Sequence, residues 1–218
     1  MKIVVIADTH GLHDQVPVPD GDMLIVAGDF TNTGKSTQVA KAAVWLGSLP
    51  HKHKIAVAGN HDFYFEREPA HAAALLAEHG ITYLQDTGVN VDGLRIYGSP
   101  WQPAFMNWAF NVPRGRLGRY WEQIPSGLDI LITHGPPFGV LDQSVPGKSD
   151  HVGCEELLAA VGTTKPRAHV FGHIHGSYGT TKNEHTTFYN ASLADERYEI
   201  VNQAWVIDLE RERVNPSA

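Results

Sequence analysis

Short apolar runs recur along the chain, and each breaks off in small or polar residues. Five stand out: KIVVIADTHG from Lys2, DMLIVAGDFTN from Asp22, HKIAVAGNHDF from His53, DILITHGPP from Asp129 and AHVFGHIHG from Ala168. Each holds about four to five aliphatic or aromatic residues, too few for a helix and suited to a strand buried on both faces. Between the runs the spacing turns helical. Val39, Ala42, Ala43, Leu46 and Leu49 share one helical face over residues 36–49. The stretch EPAHAAALLAEHG, residues 68–80, has Pro69 near its start and Gly80 after its end, as a helix should. CEELLAAVG, from Cys154, is a third and shorter candidate. Strands alternating with helices predict a largely parallel sheet covered on both faces. Beyond Gly80 the pattern changes to strand-like ITYLQD and VNVDGLRIYGSP, with Asp92-Gly93 as a hairpin turn. TTFYNAS and AWVIDLE read as further antiparallel strands. The expectation is an α/β protein with two mixed sheets. Residues 1–218 form one domain, since neither a linker nor a repeat interrupts them.

Composition narrows the class. The net charge is −7 and no long basic stripe occurs, which argues against general nucleic-acid binding. The densest basic cluster, Arg114, Arg116 and Arg119 in RGRLGR, reads as a solvated turn. The single cysteine, Cys154, allows no intramolecular disulfide and fits a reducing compartment. The start, MKIVVIADTH, reads as a strand rather than a signal peptide. No stretch approaches the roughly 20 apolar residues that a membrane span needs. A soluble cytoplasmic protein is expected.

The residues that close the five apolar runs carry the chemistry. They are Asp8 and His10, then Gly28-Asp29, Gly59-Asn60-His61-Asp62, His134-Gly135, and Gly172-His173-Ile174-His175. Every run places an Asp, Asn or His at the C-terminal end of a strand, the edge where open α/β sheets bind ligands. Five strand ends in one sheet can converge on one point. Residues two apart on a strand point the same way, so Asp8 with His10 and His173 with His175 would each aim at one cluster. Imidazole, carboxylate and carboxamide oxygen without thiolate suit Mn²⁺, Fe or Zn²⁺ rather than a structural cysteine–zinc site. Seven such groups are too many for one ion and suit two ions sharing a carboxylate.

The order D-x-H, G-D, G-N-H-D, H-G, G-H-x-H resembles the calcineurin-like metallophosphoesterase superfamily. GDFTNTG, GSPWQPAFMNWAFN, THGPPFGVLD, VGCEELL and HVFGHIHGSYG look closer still to its metallophosphoesterase-domain-containing branch, known from vertebrate brain and bacteria. The resemblance implies a four-layer α/β/β/α sandwich. It implies that Asp8, His10, Asp29 and His175 hold one metal ion. Asp29 bridges to a second, completed by Asn60, His134 and His173, so the two histidines of the H-x-H pair serve different ions. It further implies hydrolysis of a small phosphoester, most readily a diester, by hydroxide from a shared water of lowered pKa. The branch points to 3′,5′-cyclic nucleotides. Phosphomonoesters and nuclease action at the same site are the alternatives. His61, which follows a ligand without being one, would protonate the leaving oxygen or stabilise charge on it, and Asp62 would orient it. One departure is visible. Phosphoprotein phosphatases of the superfamily read G-D-x-x-D, whereas GDFTN here places Asn32 at the second acidic position and leaves the polarising partner of His61 open.

Other candidates are weighed beside this site. His13 and His151 read as ordinary exposed histidines near the motif loops. Trp101, Phe105, Trp108 and Phe110 read mainly as packing, with one stacking residue conceivable. The GKST stretch at 34–37 invites a phosphate-binding loop. Five residues separate it from Gly28 instead of four, and Asp29 stands where a glycine is needed, so Lys35-Ser36 reads as a helix start. A metal-binding scaffold without turnover is the rival from another class. The ligand set and His61 are all present, which argues against it.

Overall fold

The computed structural model describes residues 1–145 and 147–209. In chain order the strands are β1 Lys2–Ile6, β2 Met23–Ala27, β3 His53–Val57, β4 Thr82–Tyr83, β5 Thr87–Val91, β6 Leu94–Ser99, β7 Gln102–Pro103, β8 Asn111–Val112, β9 Ile130–Thr133, β10 Ala168–Phe171, β11 Gly179–Lys182, β12 Thr187–Asn190 and β13 Trp205–Asp208. The helices are α1 Ser36–Ser48, α2 Phe63–Arg67, α3 Pro69–Ala77, α4 Gly118–Trp121 and α5 Glu155–Thr164.

One sheet has the order β13-β1-β2-β3-β4 and the other β11-β12-β10-β9-β6-β5. Strands β1 to β4 are parallel, with β13 antiparallel at the edge. Strands β6, β9, β10 and β12 are parallel, flanked by antiparallel β5 and β11.

The period-two pattern explains the stacking. Within β1, Ile3 and Val5 face the core between the two sheets, while Val4 and Ile6 face the helices. Ile25, Val57, Ile96, Ile132 and Val170 meet Ile3 and Val5 between the sheets. Val39 and Leu46 of α1 and Leu76 of α3 cover the outer face of the first sheet. Leu157 and Val161 of α5 cover the second, against Leu131 and Phe171. Each fully buried aliphatic side chain contributes roughly 1.5–3 kcal/mol, so the apolar runs account for the layering. The result is the expected α/β/β/α sandwich of two mixed sheets.

The predicted helices form within a few residues of their expected limits, and Pro69 opens α3. The Asp92-Gly93 turn joins β5 to β6, with φ positive at both residues as a two-residue hairpin requires. Ser36 opens α1 after Lys35, in keeping with the reading of GKST as a helix start. Two expectations need correction. The motif-bearing strand ends belong to both sheets, since β1, β2 and β3 lie in one and β9 and β10 in the other. Strand β12 was expected to be antiparallel, but it runs parallel to β10 and pairs antiparallel only with the short β11. The last residue of the predicted AWVIDLE strand, and the final nine of the expected domain, residues 210–218, lie outside the described residues.

Candidate metal centre

The two sheets meet at the C-terminal ends of β1, β2, β3, β9 and β10. Backbone bonds tie the loops there: Asp8 N–H donates to Gly28 O, Ala7 N–H to Ala191 O and Gly172 N–H to His134 O. The approach is close. A Cβ on Gly172 would lie 2.3 Å from Asp8 Oδ2, and one on Gly59 would lie 2.3 Å from Asp29 Oδ1, so only glycine fits at either point.

All seven predicted ligand residues line this junction. Among the described residues, donor atoms mutually within 4.8 Å form three groups, Asp8–His10–His175, Asp29–His134–His173 and His10–Asp29–His61. His10 Nε2 lies 3.2 Å from His175 Nε2, and His175 Nε2 lies 3.8 Å from Asp8 Oδ1. His134 Nε2 is 3.4 Å from Asp29 Oδ2 and 2.9 Å from Asn60 Oδ1. Asp29 Oδ2 reaches back toward the first group, 4.0 Å from His10 Nε2. Donors bonded to one metal ion at about 2.0–2.2 Å stand about 3–3.5 Å from each other, so these spacings are near the edges of coordination polyhedra.

Hydrogen bonds fix which atoms face inward. A carbonyl can only accept, so His134 donates Nδ1–H to Ala27 O at 2.9 Å and His175 donates Nδ1–H to Asp195 O at 2.8 Å. Each therefore presents Nε2 to the centre, the arrangement that orients metal-ligating imidazoles. Asp29 Oδ1 accepts the His61 backbone N–H at 2.8 Å, which leaves Oδ2 as the inward atom. Asp8 Oδ2 accepts from Ser192 Oγ and His173 N, while the buried Oδ1 has no hydrogen-bond partner among the described residues. Orphaned carboxylate oxygen facing imidazole nitrogen is a donor set that fits a cation.

The electrostatics agree. Burial holds His10 down to about 4 and His173 down to about 3, so both are neutral with a lone pair to give. Burial alone would raise the Asp29 carboxyl, but His134, His10 and His61 hold it well below the usual range. Burial would likewise lower His134, but Asp29, with help from Asp8 and the Ala27 carbonyl, raises it to about 9. The pair calls for positive charge between Oδ2 and Nε2, from a proton or a metal ion.

Asp8, His10, Asp29 and His173 all have φ between 45° and 68°. Asp and His tolerate this region better than most side chains, but four such residues in one junction mark stored strain. They also revise the spacing argument. The D-x-H and H-x-H pairs lie beyond the strands, so left-handed turns rather than strand alternation bring their side chains together.

His61 sits beside this cluster. Its Nδ1–H donates to the backbone carbonyl of Asn32 at 2.7 Å, and Nε2 lies 4.0 Å from Asp29 Oδ2. The ring stacks on Trp108 with centroids 4.2 Å apart. The partner left open by Asn32 is thus that residue's main chain. Among the described residues Asp62 makes no hydrogen bond to the His61 ring, contrary to the expectation. Its Oδ1 accepts from Thr31 N and Thr31 Oγ, and its Oδ2 from Gly59 N, so it ties the β2 loop to the β3 loop. Burial, then the charge of Asp29, still pushes this carboxyl up to about 7. Asp62→Ala would leave buried donors unpaired and is expected to destabilise the fold by about 2–4 kcal/mol. Denaturant unfolding checks this, and a rate loss at unchanged stability would return Asp62 to the catalytic set.

A pocket of about 700 Å³ opens over the cluster, lined among others by Asn60, Phe105, Met106, Trp108, Arg114, Glu196 and Tyr198. Trp101 and Phe110 pack on each other and Trp101 stacks on Tyr120, whereas Phe105 and Trp108 face the pocket. Arg114 lies in an exposed turn, as expected, but it is also tied down. It donates to Val152 O, Gly153 O and Glu155 Oε2 at 2.6–2.7 Å and pins the 152–155 loop. His13 is buried and stacked on Trp45, where an exposed histidine was expected. His151 is exposed but bonds Asp142 at 2.6 Å. Sequence reasoning missed Ser192, Asp195 and Tyr198. Their clue is only the polar run YNASLADERY after β12 begins, which has no metal-ligand spacing.

The pattern described as calcineurin-like phosphoesterase matches residues 1–177. Metallophosphoesterase domain-containing protein 1 of Homo sapiens is 47% identical, over 95% of this chain and 71% of that protein. UPF0046 protein C25E10.12 of Caenorhabditis elegans is 40% identical, over 96% of this chain and 81% of that protein. The crystal structure of TT1561 of Thermus thermophilus superposes with a TM-score of 0.56 at 16% identity, covering 87% of this chain and 88% of that one, which supports the fold alone. Among the described residues no helix is long and apolar enough to cross a membrane.

Proposed function

Because this chain belongs to the calcineurin-like phosphoesterase family, we propose that it is a binuclear metal-dependent phosphodiesterase acting on a small phosphoester. The observation that carries the reading is the pair of donor groups joined through Asp29 Oδ2. Asp8, His10, Asp29 and His175 would hold one ion, and Asp29, Asn60, His134 and His173 the other. Nitrogen and oxygen donors suit Mn²⁺, Fe or Zn²⁺. Cys154 takes no part, since its Sγ accepts from Trp121 Nε1 and Leu157 N at the start of α5. When bound, two such ions supply Lewis acidity at the phosphoryl oxygens and lower the pKa of a water. The chain's own part is orientation and proton transfer. The Asn32 carbonyl holds the His61 Nδ1 proton, which points Nε2 at the pocket, where it delivers a proton to the leaving oxygen. Both sheets contribute ligands, so the chain is read as one catalytic unit.

The preference for diesters follows from charge. Arg114 is the only cationic Lys or Arg among the described residues lining the pocket, and three protein acceptors occupy it. A monoanionic diester needs less compensation than a dianionic monoester. A pocket of about 700 Å³ suits a small molecule, and 3′,5′-cyclic nucleotides are the diesters to try first. The test uses chelator-stripped protein with Mn²⁺ restored. Cleavage of bis(p-nitrophenyl) phosphate is expected to exceed that of p-nitrophenyl phosphate at least about tenfold, one lost ion-assisted contact's worth. Faster monoester cleavage would make the protein a phosphatase. Silence on both with metals bound would favour a scaffold.

A further inference from the structure

We infer that Tyr198 is a substrate-contacting residue, its ring roofing the His10–His175 side of the pocket and its hydroxyl donating to a non-bridging phosphoryl oxygen. The inference rests on the phosphoester reading of the pocket. Tyr198 lines the pocket beside Asp29, Asn60, His61, His173 and His175. Its ring meets His10 edge-on at 4.7 Å between centroids, His175 at 5.4 Å and His61 at 6.0 Å. One aromatic side chain thus touches three imidazoles of the centre. Among the described residues its hydroxyl makes no hydrogen bond, although the residue lines the pocket.

The turn that carries it is built for placement. Tyr198 has φ of 62°, costly for a bulky side chain and retained only where surroundings enforce it. Asp195 does the enforcing. Its Oδ1 accepts from Arg197 N and Glu199 N, and its backbone carbonyl accepts from Tyr198 N at 2.9 Å. That same carbonyl accepts His175 Nδ1–H at 2.8 Å. Tyr198 and the imidazole of His175 therefore hang from one oxygen, and the roof is held in register with the centre beneath it. Arg114 is partly spent on the 152–155 loop, so the Tyr198 hydroxyl would add a neutral donor to the phosphoryl oxygens beside the charge of bound metal ions.

The full chain loaded with Mn²⁺ is titrated calorimetrically with inorganic phosphate, wild type beside Tyr198→Phe and Tyr198→Gly. Glycine accepts the left-handed φ without strain, so it removes the ring and spares the turn. Tyr198→Phe is expected to take up as much Mn²⁺ and melt at the same temperature as wild type, while phosphate binds about tenfold more weakly, as for a lost hydrogen bond to a charged group. Tyr198→Gly is expected to weaken phosphate at least as much. Unchanged phosphate affinity in Tyr198→Phe overturns the inference. Loss of Mn²⁺ in that variant overturns it too, by reducing Tyr198 to support for the ligands, as does a wild type that holds Mn²⁺ but no phosphate. Phosphate binding that depends on Tyr198, in a protein that cleaves no ester, supports this inference while the proposed function fails.

Discussion

Asp29→Asn is expected to loosen both metal ions at once, and Asp29→Ala to remove them. The reason is the position of Oδ2, 3.4 Å from His134 Nε2 on one side and 4.0 Å from His10 Nε2 on the other. Losing a group that merely hydrogen-bonds to a metal ligand costs roughly 10–100-fold in affinity, and a shared carboxylate should exceed that at each ion, so activity should fall by at least about 1,000-fold. The asparagine variant is the cleaner one. It keeps an oxygen for the His61 N–H, whereas alanine strands that buried donor as well. Uptake of Mn²⁺ measured beside circular dichroism separates metal loss from unfolding. An Asp29→Asn protein that kept both ions and full activity would remove Asp29 from the bridging position.

His61→Ala should behave in the opposite way, keeping the metals and losing rate. His61 Nε2 lies at the fringe of the cluster, 4.0 Å from Asp29 Oδ2, and its other nitrogen is committed to Asn32 O. General acid catalysis contributes roughly 10²–10⁴-fold, and the loss should grow as the leaving group becomes more basic. A series of substituted phenyl esters reads this directly. A loss independent of the leaving group would assign His61 to charge stabilisation. Loss of metal in this variant would make it a ligand, since its Nε2 also lies within reach of His10 and Asp29.

The strands and the ligand types were legible because both are local. An apolar run of a few residues ending at Asp8 or His134 reports burial and chemistry together. What was not legible is carried by main chain or by distant pairing. The carbonyls of Ala27, Asn32 and Asp195 that orient three imidazoles have no side-chain signature. The division of five strand ends between two sheets depends on pairings such as β6 with β9, far apart in sequence. The reach of Asp8 and His173 depends on left-handed turns that motif spacing does not announce. Asp62, adjacent to His61, invited a catalytic role, yet its carboxylate serves Thr31 and Gly59 instead. Tyr198 lay outside every motif because its relation to the site runs through the Asp195 carbonyl.

The central claim is that Asp29 joins two metal positions, and counting the ions tests it most directly. Chelator-stripped protein is dialysed to equilibrium against Mn²⁺, and the bound metal is measured by elemental analysis against protein concentration. The account predicts two ions per chain in the wild type. One ion per chain, or none, would contradict it.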